Sequence, residues 1–252
     1  MARGSGQEFM NATRHARLQL PDQQRGLPQP PLEALPAAVG EAVALPPPEE
    51  FLSSTRLGAA GTALGDLLAR RTSLRAYAEA PLALDEFAFL LWATQGVKGL
   101  IERRATLRPV PSAGARHAFE TRVRVHRVAG LAAGLYHYDA LRHRLLPLAT
   151  ADDWDERLVA ACYDQRFLAA SAATFLWVAV PYRMTWRYSD RGYRYLHLDA
   201  GHVAQNLYLA AEAVGAGACA VAAFDDQAAN ALLELDGRDQ FLIYLAAVGK
   251  RA

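Results

Sequence analysis

The most constraining feature of the sequence is a nearly continuous run of apolar residues at positions 173–180, interrupted by Thr174, which Pro181 follows directly. A strand exposed on one face alternates apolar and polar residues, whereas a strand covered on both faces is apolar throughout. The run therefore predicts a central strand with other elements packed on both of its faces. We expect Pro181 to end it, because proline donates no ladder hydrogen bond.

Helical and strand periodicities are mixed along the rest of the chain, which predicts an α+β fold with a central mixed or antiparallel sheet flanked by helices. Small residues in the longest predicted helix suit close packing at a dimer core. The predicted helices are 85–95, stopped by Gly96, 193–214, closed by Gly215, and about 226–234. The predicted strands are 121–128, 135–138, 173–180, 219–223 and 241–248.

The first quarter of the chain has a different composition. Residues 21–48 are rich in Pro, Ala and Glu and lack any periodicity, which indicates an extended arm that wraps a partner subunit or stays mobile. Residues 1–9 resemble a tag remnant before a native start at Met10, and order is expected to begin near Thr62. The predicted division is a tag and arm, 1–58, and one domain, 59–252.

Charge and cysteine content exclude several classes of protein. The chain has 27 Lys and Arg against 26 Asp and Glu, so its net charge of +1 gives no global attraction for nucleic acid or an anionic membrane. The two cysteines have no zinc-ligand or disulfide pattern, and no signal peptide or spanning segment is evident. These features predict a cytoplasmic protein without a metal. Dinucleotide GxGxxG, P-loop, HExxH and GxSxG motifs are also absent.

Three segments have residues suited to ligand binding. Arg71, Ser73 and Arg75 alternate, so they can converge on a phosphate from one face of an extended chain, although charges at a helix end are commonly a solvated cap. Segment 108–117 combines two prolines, small residues and the hydroxyl of Ser112, or is an ordinary loop. Segment 221–225 leaves a strand with unpaired backbone N–H groups, or is a plain strand-to-helix turn.

The order of these segments resembles the nitroreductase family, and more closely its SagB-type branch of azoline dehydrogenases. The resemblance covers about 67–251 and depends on the motifs RRTSLRAY, RPVPSAGARHAFE, GLYHYD, YRYLHLDAGHVAQNLYLAAEAVGAGACAVAAFDD and AVGK. It implies a homodimer with two FMN sites at the subunit interface. Arg71, Thr72, Ser73 and Arg75 match the phosphate and ribityl segment. The other positions that match the FMN site are Pro111, Ser112, Ala113 and Gly114 from the opposite subunit, Gln165 at the pyrimidine edge, Ala222 and Ala223 near N5, and Lys250 and Arg251 at the phosphate.

The segment around Arg187 and Tyr188 matches the place where azoline-oxidising members carry a Lys-Tyr pair. Arginine keeps its proton at any working pH, so Arg187 can orient a substrate but is a poor base. Tyr188 is therefore the best candidate for the general acid or base. The alternative is that both residues belong to a mobile surface loop.

The resemblance implies an FMN-dependent dehydrogenase or oxidase that converts peptide-linked thiazolines or oxazolines to thiazoles or oxazoles in natural-product biosynthesis. Its substrate can be bound to a leader or carrier, and a cyclodehydratase or synthetase is an expected partner. Two alternatives stay open. One is an NAD(P)H-dependent reductase of nitro, quinone or dehydroamino-acid substrates, and the other is a non-catalytic subunit that binds a peptide or partner.

Overall fold

A seven-stranded antiparallel sheet forms the centre of the computed structural model, which describes residues 4–53, 63–101 and 105–252. The strand order is β1-β6-β5-β4-β7-β9-β8, and every pair is antiparallel. The seven strands are β1 (Val43–Ala44), β4 (Phe119–Val125), β5 (Gly134–Asp139), β6 (Arg144–Leu148), β7 (Ala173–Ala179), β8 (Ala216–Val221) and β9 (Phe241–Lys250). Two further strands, β2 (Gly99–Ile101) and β3 (Ala105–Leu107), form a separate pair.

Strand β7 is the central strand that the apolar run predicts. It lies between β4 and β9, and all seven of its residues are buried. Because successive side chains point to opposite faces, Phe175 and Trp177 enter one apolar cluster while Leu176 and Val178 enter the other. Both faces of the sheet are therefore covered, as the sequence predicted.

Helices form the two outer layers. The described residues contain α1 (Ser5–Ala12), α2 (Pro48–Leu52), α3 (Leu64–Arg70), α4 (Leu84–Gln95), α5 (Trp154–Ala161), α6 (Phe167–Ala170), α7 (Pro181–Tyr188), α8 (Gly192–Ala213) and α9 (Asp226–Leu232). Side chains of α4 and α8 join the larger cluster with Phe175, whereas those of α5, α6 and α9 join the smaller one with Leu176. The fold is thus the predicted α+β arrangement, a central antiparallel sheet flanked by helices.

Helix α7 is one of the elements that the sequence analysis did not predict, and it contains two of the candidate site residues. Pro181 ends β7 as expected, but it is also the first residue of α7, where its missing N–H costs nothing. The alternative interpretation of Arg187 and Tyr188 as a mobile surface loop is therefore wrong, because both lie in the last turn of this helix. The helix has only eight residues, too few for its period to stand out in the sequence.

The proline-rich arm packs on its own domain, so the expectation that it stays mobile is corrected, and its contact with a partner subunit stays a prediction. Val39 donates its N–H to the carbonyl of Pro147 at 3.0 Å, and β1 then pairs with β6 at the edge of the sheet. An edge strand has unpaired backbone groups, and the arm satisfies those of β6. Thr62 and the predicted boundary at 58/59 lie outside the described residues.

Candidate functional site

The segment after α3 runs along the outer strand of the sheet. Ser73 lies opposite Ala218 in a parallel bridge, and the N–H of Leu74 donates to the carbonyl of Ala218 at 2.9 Å. Glycine at 217 allows this approach, since a Cβ built there would lie 2.6 Å from a methyl carbon of Leu74. The segment with Arg71, Thr72, Ser73 and Arg75 is therefore held in an extended form against β8.

Tyr208 of α8 fixes the hydroxyl of Ser73. The two hydroxyl oxygens are 3.0 Å apart, and the N–H of Ala220 donates to the Tyr208 oxygen at 2.9 Å. The guanidinium of Arg71 lies 5.4 Å from the centre of the Tyr208 ring. Sequence reasoning missed Tyr208. The feature in the sequence that could have identified it is a single hydroxyl-bearing side chain between the leucines of the last turns of the long helix.

Arg71 and Arg75 have aromatic neighbours and no carboxylate partner within the described ranges. Arg75 lies 5.9 Å from the centre of the Phe167 ring and is exposed, as are Thr72 and Ser73. Two guanidinium groups that flank hydroxyl groups match the donors that a phosphate monoester needs. This geometry suits a phosphate end of a ligand.

Gln165 lies at the end of β8, next to the same segment. Its side-chain amide donates to the carbonyls of Ala223 and Cys162, both at 2.9 Å. Ala222 and Ala223 follow the last residue of β8 and are exposed. The structure thus brings Gln165 and the two alanines together, close to Phe167 and hence to Arg75. We call Arg71–Arg75, Gln165 and Ala222–Ala223 the edge group.

A second group of predicted residues forms at the start of α8. Gly114 has φ +59°, and a Cβ there would lie 2.4 Å from the hydroxyl of Tyr188 and 3.0 Å from Nε of Arg187. The loop containing Pro111, Ser112 and Ala113 therefore packs its backbone directly on the Arg187–Tyr188 pair. We call residues 111–114 with Arg187 and Tyr188 the tyrosine group.

Asp199 is a buried carboxylate behind that loop, and sequence reasoning missed it. Its Oδ1 accepts the N–H of Ala113 at 3.3 Å, while Oδ2 has no hydrogen-bond partner among the residues that the structure describes. Burial raises the pKa of Asp199 above its ordinary value. The sequence feature that could have identified Asp199 is an acidic residue between Leu196 and Ala200, two buried positions of the long helix. Asp199 positions the loop on which Tyr188 rests.

The two late basic residues have carboxylate partners. Nζ of Lys250 donates to Glu86 and to the carbonyl of Val214, both at 2.8 Å, so it neutralises the end of α8. Arg251 pairs with Glu212, whose other oxygen lies 4.0 Å from Arg70. The structure therefore gives Lys250 and Arg251 internal roles and does not add their charges to those of Arg71 and Arg75.

The edge group and the tyrosine group lie on different parts of α8. Tyr208 and Asp199 are nine positions apart, which is about 14 Å along a helix and about half a turn around it. One copy of the chain thus presents the two groups on opposite sides of the same helix. No cluster of metal-ligating side chains occurs within the described ranges, and no helix there is long and apolar enough to cross a membrane.

Comparison with known proteins identifies the family. Residues 68–250 match the profile of the nitroreductase family. The chain belongs to the nitroreductase family. This nitroreductase-family protein is 37% identical over 189 residues to a protein of Methanocaldococcus jannaschii that is provisionally named a nitroreductase, and the match covers 75% of this chain and 91% of the relative. Members of the family are in general flavin-dependent oxidoreductases.

Two solved structures of provisionally named nitroreductases share the fold. The Ralstonia eutropha protein superposes with a TM-score of 0.67 at 26% identity and covers 90% of this chain and 99% of its own. The Anabaena variabilis protein gives 0.63 at 31% identity, with 75% of this chain and 39% of its own covered. The comparisons confirm the predicted family and fold.

Two more distant matches concern peptide-modifying systems. The trifolitoxin-processing protein TfxB of Rhizobium leguminosarum is 32% identical over 145 residues, and the match covers 53% of this chain. The chain spans only 38% of TfxB. The Escherichia coli microcin synthetase McbBCD complex with truncated pro-MccB17 superposes with a TM-score of 0.59 at 20% identity, covering 81% of this chain and 80% of its own. This last similarity shows the fold alone.

Proposed function

We propose that this protein is an FMN-dependent oxidoreductase of the SagB type. The observation that carries the proposal is the edge group, in which Arg71 and Arg75 flank Ser73 without a carboxylate partner in the described part of the chain. Family membership makes a flavin the expected ligand, and the edge group offers a phosphate site beside exposed backbone at the end of β8. These residues fit FMN.

The proposed contacts follow from this placement. Arg71, Thr72, Ser73 and Arg75 hold the phosphate and ribityl chain. Gln165, Ala222 and Ala223 approach the ring edge, where exposed backbone N–H groups can donate. When bound, FMN supplies a two-electron acceptor for a hydride at N5. We leave Lys250 and Arg251 out of the phosphate site, because both already have carboxylate partners.

The proposed active unit is a homodimer. The tyrosine group lies about half a turn around α8 from the edge group, so a second copy is needed to lay residues 111–114 along a ring held by the first. Helix α8 also has an exposed stripe with helical spacing, formed by Leu198, Gly201, His202 and Gln205. Leu198 is 60% exposed in the single chain, and a two-fold contact would bury it.

The proposed substrate is a thiazoline or oxazoline in a peptide. The names of TfxB and of the microcin synthetase complex support a peptide substrate and a synthetase or cyclodehydratase partner. Aromatisation of the ring removes a proton from one ring carbon and a hydride from its neighbour. Tyr188, as its phenolate, would accept the proton, and Arg187 would orient the substrate. A bound FMN would supply the acceptor for the hydride and would pass the electrons to oxygen. We place this reaction in the cytoplasm.

Arg187 also keeps a second function open. The azoline-oxidising branch has lysine where this chain has Arg187, so the reverse flow of electrons is the alternative: NAD(P)H reduces the flavin, which reduces a nitro, quinone or dehydroamino-acid substrate. The provisional names of the Methanocaldococcus and Ralstonia proteins favour this alternative. A non-catalytic subunit that binds a peptide or partner is the third possibility.

One set of measurements separates these functions. The protein is purified, its flavin is released and quantified, and the flavin-loaded protein is incubated in air with a thiazoline peptide. Loss of two hydrogen atoms from the peptide, seen by mass spectrometry without added nicotinamide, is the expected result. NAD(P)H-dependent reduction of a nitro substrate with no change in the peptide contradicts the azoline assignment. A protein that stays colourless after incubation with FMN contradicts the proposed flavin-dependent activity.

A further inference from the structure

A cavity of about 460 Å³ lies between the N-terminal part of the chain and the last turn of α7. One wall is Arg187 with Tyr188. The opposite wall is a stretch of chain with no helix beyond a single short turn, and it contributes three amides and one imidazole. These four side chains belong to His15, Gln19, Gln23 and Gln24.

The N-terminal wall is fixed to the domain at both ends. At one end Thr13 contacts two arginines near the start of α8: its carbonyl accepts from Arg191 at 3.0 Å, and its hydroxyl accepts from Arg194 at 2.5 Å. At the other end the N–H of Gln23 donates to the carbonyl of Trp186 at 2.8 Å, and the ring N–H of Trp186 donates to Leu27 at 3.0 Å. The wall is therefore part of the fold.

The cavity is positively charged. The guanidinium of Arg187 is exposed, lies 5.7 Å from the centre of the Tyr188 ring, and has no carboxylate partner within the described ranges. Arg116 lies behind it, over the ring of Trp186, and burial together with the nearby charge of Arg187 lowers the pKa of Arg116. Among the described residues, no acidic side chain lines the cavity. The nearest one in sequence, Asp22, bonds to Arg25 and Tyr182.

We propose that this cavity is a carboxylate-binding site, in which Arg187 binds a carboxylate attached directly to the reacting ring, as in a C-terminal azoline or a free azoline acid. The proposal rests on the proposed function, since it names the substrate class of the same site. Arginine presents two parallel N–H donors that match the two oxygens of a carboxylate. The amides of Gln19, Gln23 and Gln24 can hydrogen-bond to the peptide amides of a substrate that ends in an azoline.

The position of Tyr188 agrees with this assignment. The guanidinium of Arg187 lies 5.7 Å from the centre of the Tyr188 ring, so a carboxylate held by Arg187 keeps the attached ring close to Tyr188. Lysine presents a point charge, whereas arginine fixes the plane of the group that it binds. Where the azoline-oxidising branch has lysine, a candidate base, this chain has Arg187, which would orient the carboxylate of the substrate.

The test uses product-like probes that the enzyme cannot oxidise, 2-methylthiazole-4-carboxylate and the corresponding 4-carboxamide. Binding to the flavin-loaded protein is measured by calorimetry. We expect the acid to bind roughly tenfold more tightly than the amide or better, as for a charge-assisted pair. Arg187→Gln is expected to abolish this preference. Gln19→Glu, which adds a negative charge to the opposite wall, is expected to weaken binding of the acid and leave the amide unaffected.

The controls separate this inference from the proposed function. Arg157→Gln removes a half-exposed arginine charge from α5 and is expected to keep the preference for the acid. Flavin content is measured in every sample, and a wild-type protein that takes up no FMN defeats the proposed function. A flavin-loaded wild-type protein that binds acid and amide equally, or an Arg187→Gln variant that still prefers the acid, overturns only the carboxylate site. If Arg187→Gln fails to fold, the response of Gln19→Glu decides.

Discussion

The arginines of this protein occupy two different environments. Arg108 and Arg183 are buried on the side of the sheet that the arm crosses, where Arg108 donates to the carbonyl of Gln95 at 2.7 Å and Arg183 pairs with Glu120. Arg71 and Arg75 are more accessible, and their guanidinium groups lie near the aromatic rings of Tyr208 and Phe167, with no carboxylate partner among the described residues. A buried charge without a partner is very costly, whereas an accessible charge is hydrated and remains available to a ligand. Residue type alone therefore says little about an arginine, and its partners decide its role.

The buried set also explains how the arm is attached. Glu120 of β4 accepts the N–H of Ala34 at 2.6 Å, and Nε of Arg183 donates to the carbonyl of Pro31 at 2.9 Å. Each residue of the Glu120–Arg183 ion pair thus makes one hydrogen bond to the arm. Within the described ranges, the edge group has no hydrogen bond to the arm, and its two arginines lie near the aromatic rings of Tyr208 and Phe167.

The largest expected effect tests the buried arginines, Arg108 and Arg183, by removing one of them. Arg183→Met leaves the carboxylate of Glu120 buried without its cation, which typically costs about 3–5 kcal/mol of stability. The free energy of unfolding is measured by urea denaturation. Arg75→Met is the matched variant in the edge group, and it is expected to change this free energy by less than about 0.5 kcal/mol. Equal losses of unfolding free energy in the two variants would contradict the division into buried and accessible arginines.

The next prediction concerns the tyrosine group. Tyr188→Phe keeps the ring and its edge-to-face contact with Tyr195 at 4.8 Å, but it removes the hydroxyl that handles the proton. We expect flavin content to stay the same and turnover to fall by roughly a hundredfold or more. The rate is measured as flavin reduction in a single anaerobic turnover. The control is Tyr136→Phe on β5, which removes the hydrogen bond from the Tyr136 hydroxyl to the carbonyl of Ala132. Full activity in the Tyr188 variant removes this residue from the mechanism.

A smaller effect is expected for the accessible arginines of the edge group. Arg75→Ala removes one charge-assisted hydrogen bond to the phosphate, which contributes about 1.5–3 kcal/mol, so the Kd for FMN is expected to rise roughly tenfold or more. Fluorescence titration of the apoprotein measures it. Arg157→Ala, with its side chain half exposed on α5, should leave the Kd unchanged. An unchanged Kd in the Arg75 variant counts against the phosphate assignment.

The regular elements could be predicted from the sequence because their periods are strong. Strand β7 is apolar except for Thr174, and α8 repeats its buried residues from Leu196 to Ala210 at helical spacing, so both predicted ranges agree with the structure within one residue. Helix α7 and the arm could not be predicted. Their attachment depends on single long-range contacts, such as Arg183 to Pro31, which leave no periodic pattern.

The candidate site was predictable only where its residues are close in sequence. Arg71, Ser73 and Arg75 alternate within one extended segment, and the structure keeps them on the edge of the sheet. Tyr208 and Asp199 were missed because their partners lie far along the chain and a polar group in a long helix has no distinctive local signal. The partners of Lys250 were equally hidden, since Glu86 precedes it by 164 positions.

The smallest expected effect concerns the arm and depends on pH. Glu33 accepts the N–H of Leu141 at 2.8 Å, and burial, with some repulsion from Asp139 and Glu120, raises its pKa to about 7. The folded protein therefore binds this proton more tightly than the unfolded chain, whose pKa is near 4.5. Its favourable contribution is complete below about pH 4.5 and is lost as the pH rises to 7.

Glu33→Gln keeps an uncharged side chain with a carbonyl oxygen that can still accept the N–H of Leu141. We expect the variant to match the wild type in Tm near pH 4.5 and to exceed it by a few degrees at pH 8, where the wild type buries a charge. Thermal unfolding followed by circular dichroism at both pH values measures the difference, with Glu41→Gln, an exposed carboxylate of the same arm, as the control. A Tm difference that does not grow between the two pH values would mean that the Glu33 carboxylate is hydrated when charged. The contact between the arm and Leu141 would then resemble the solvent-facing edge group more than the buried arginine set.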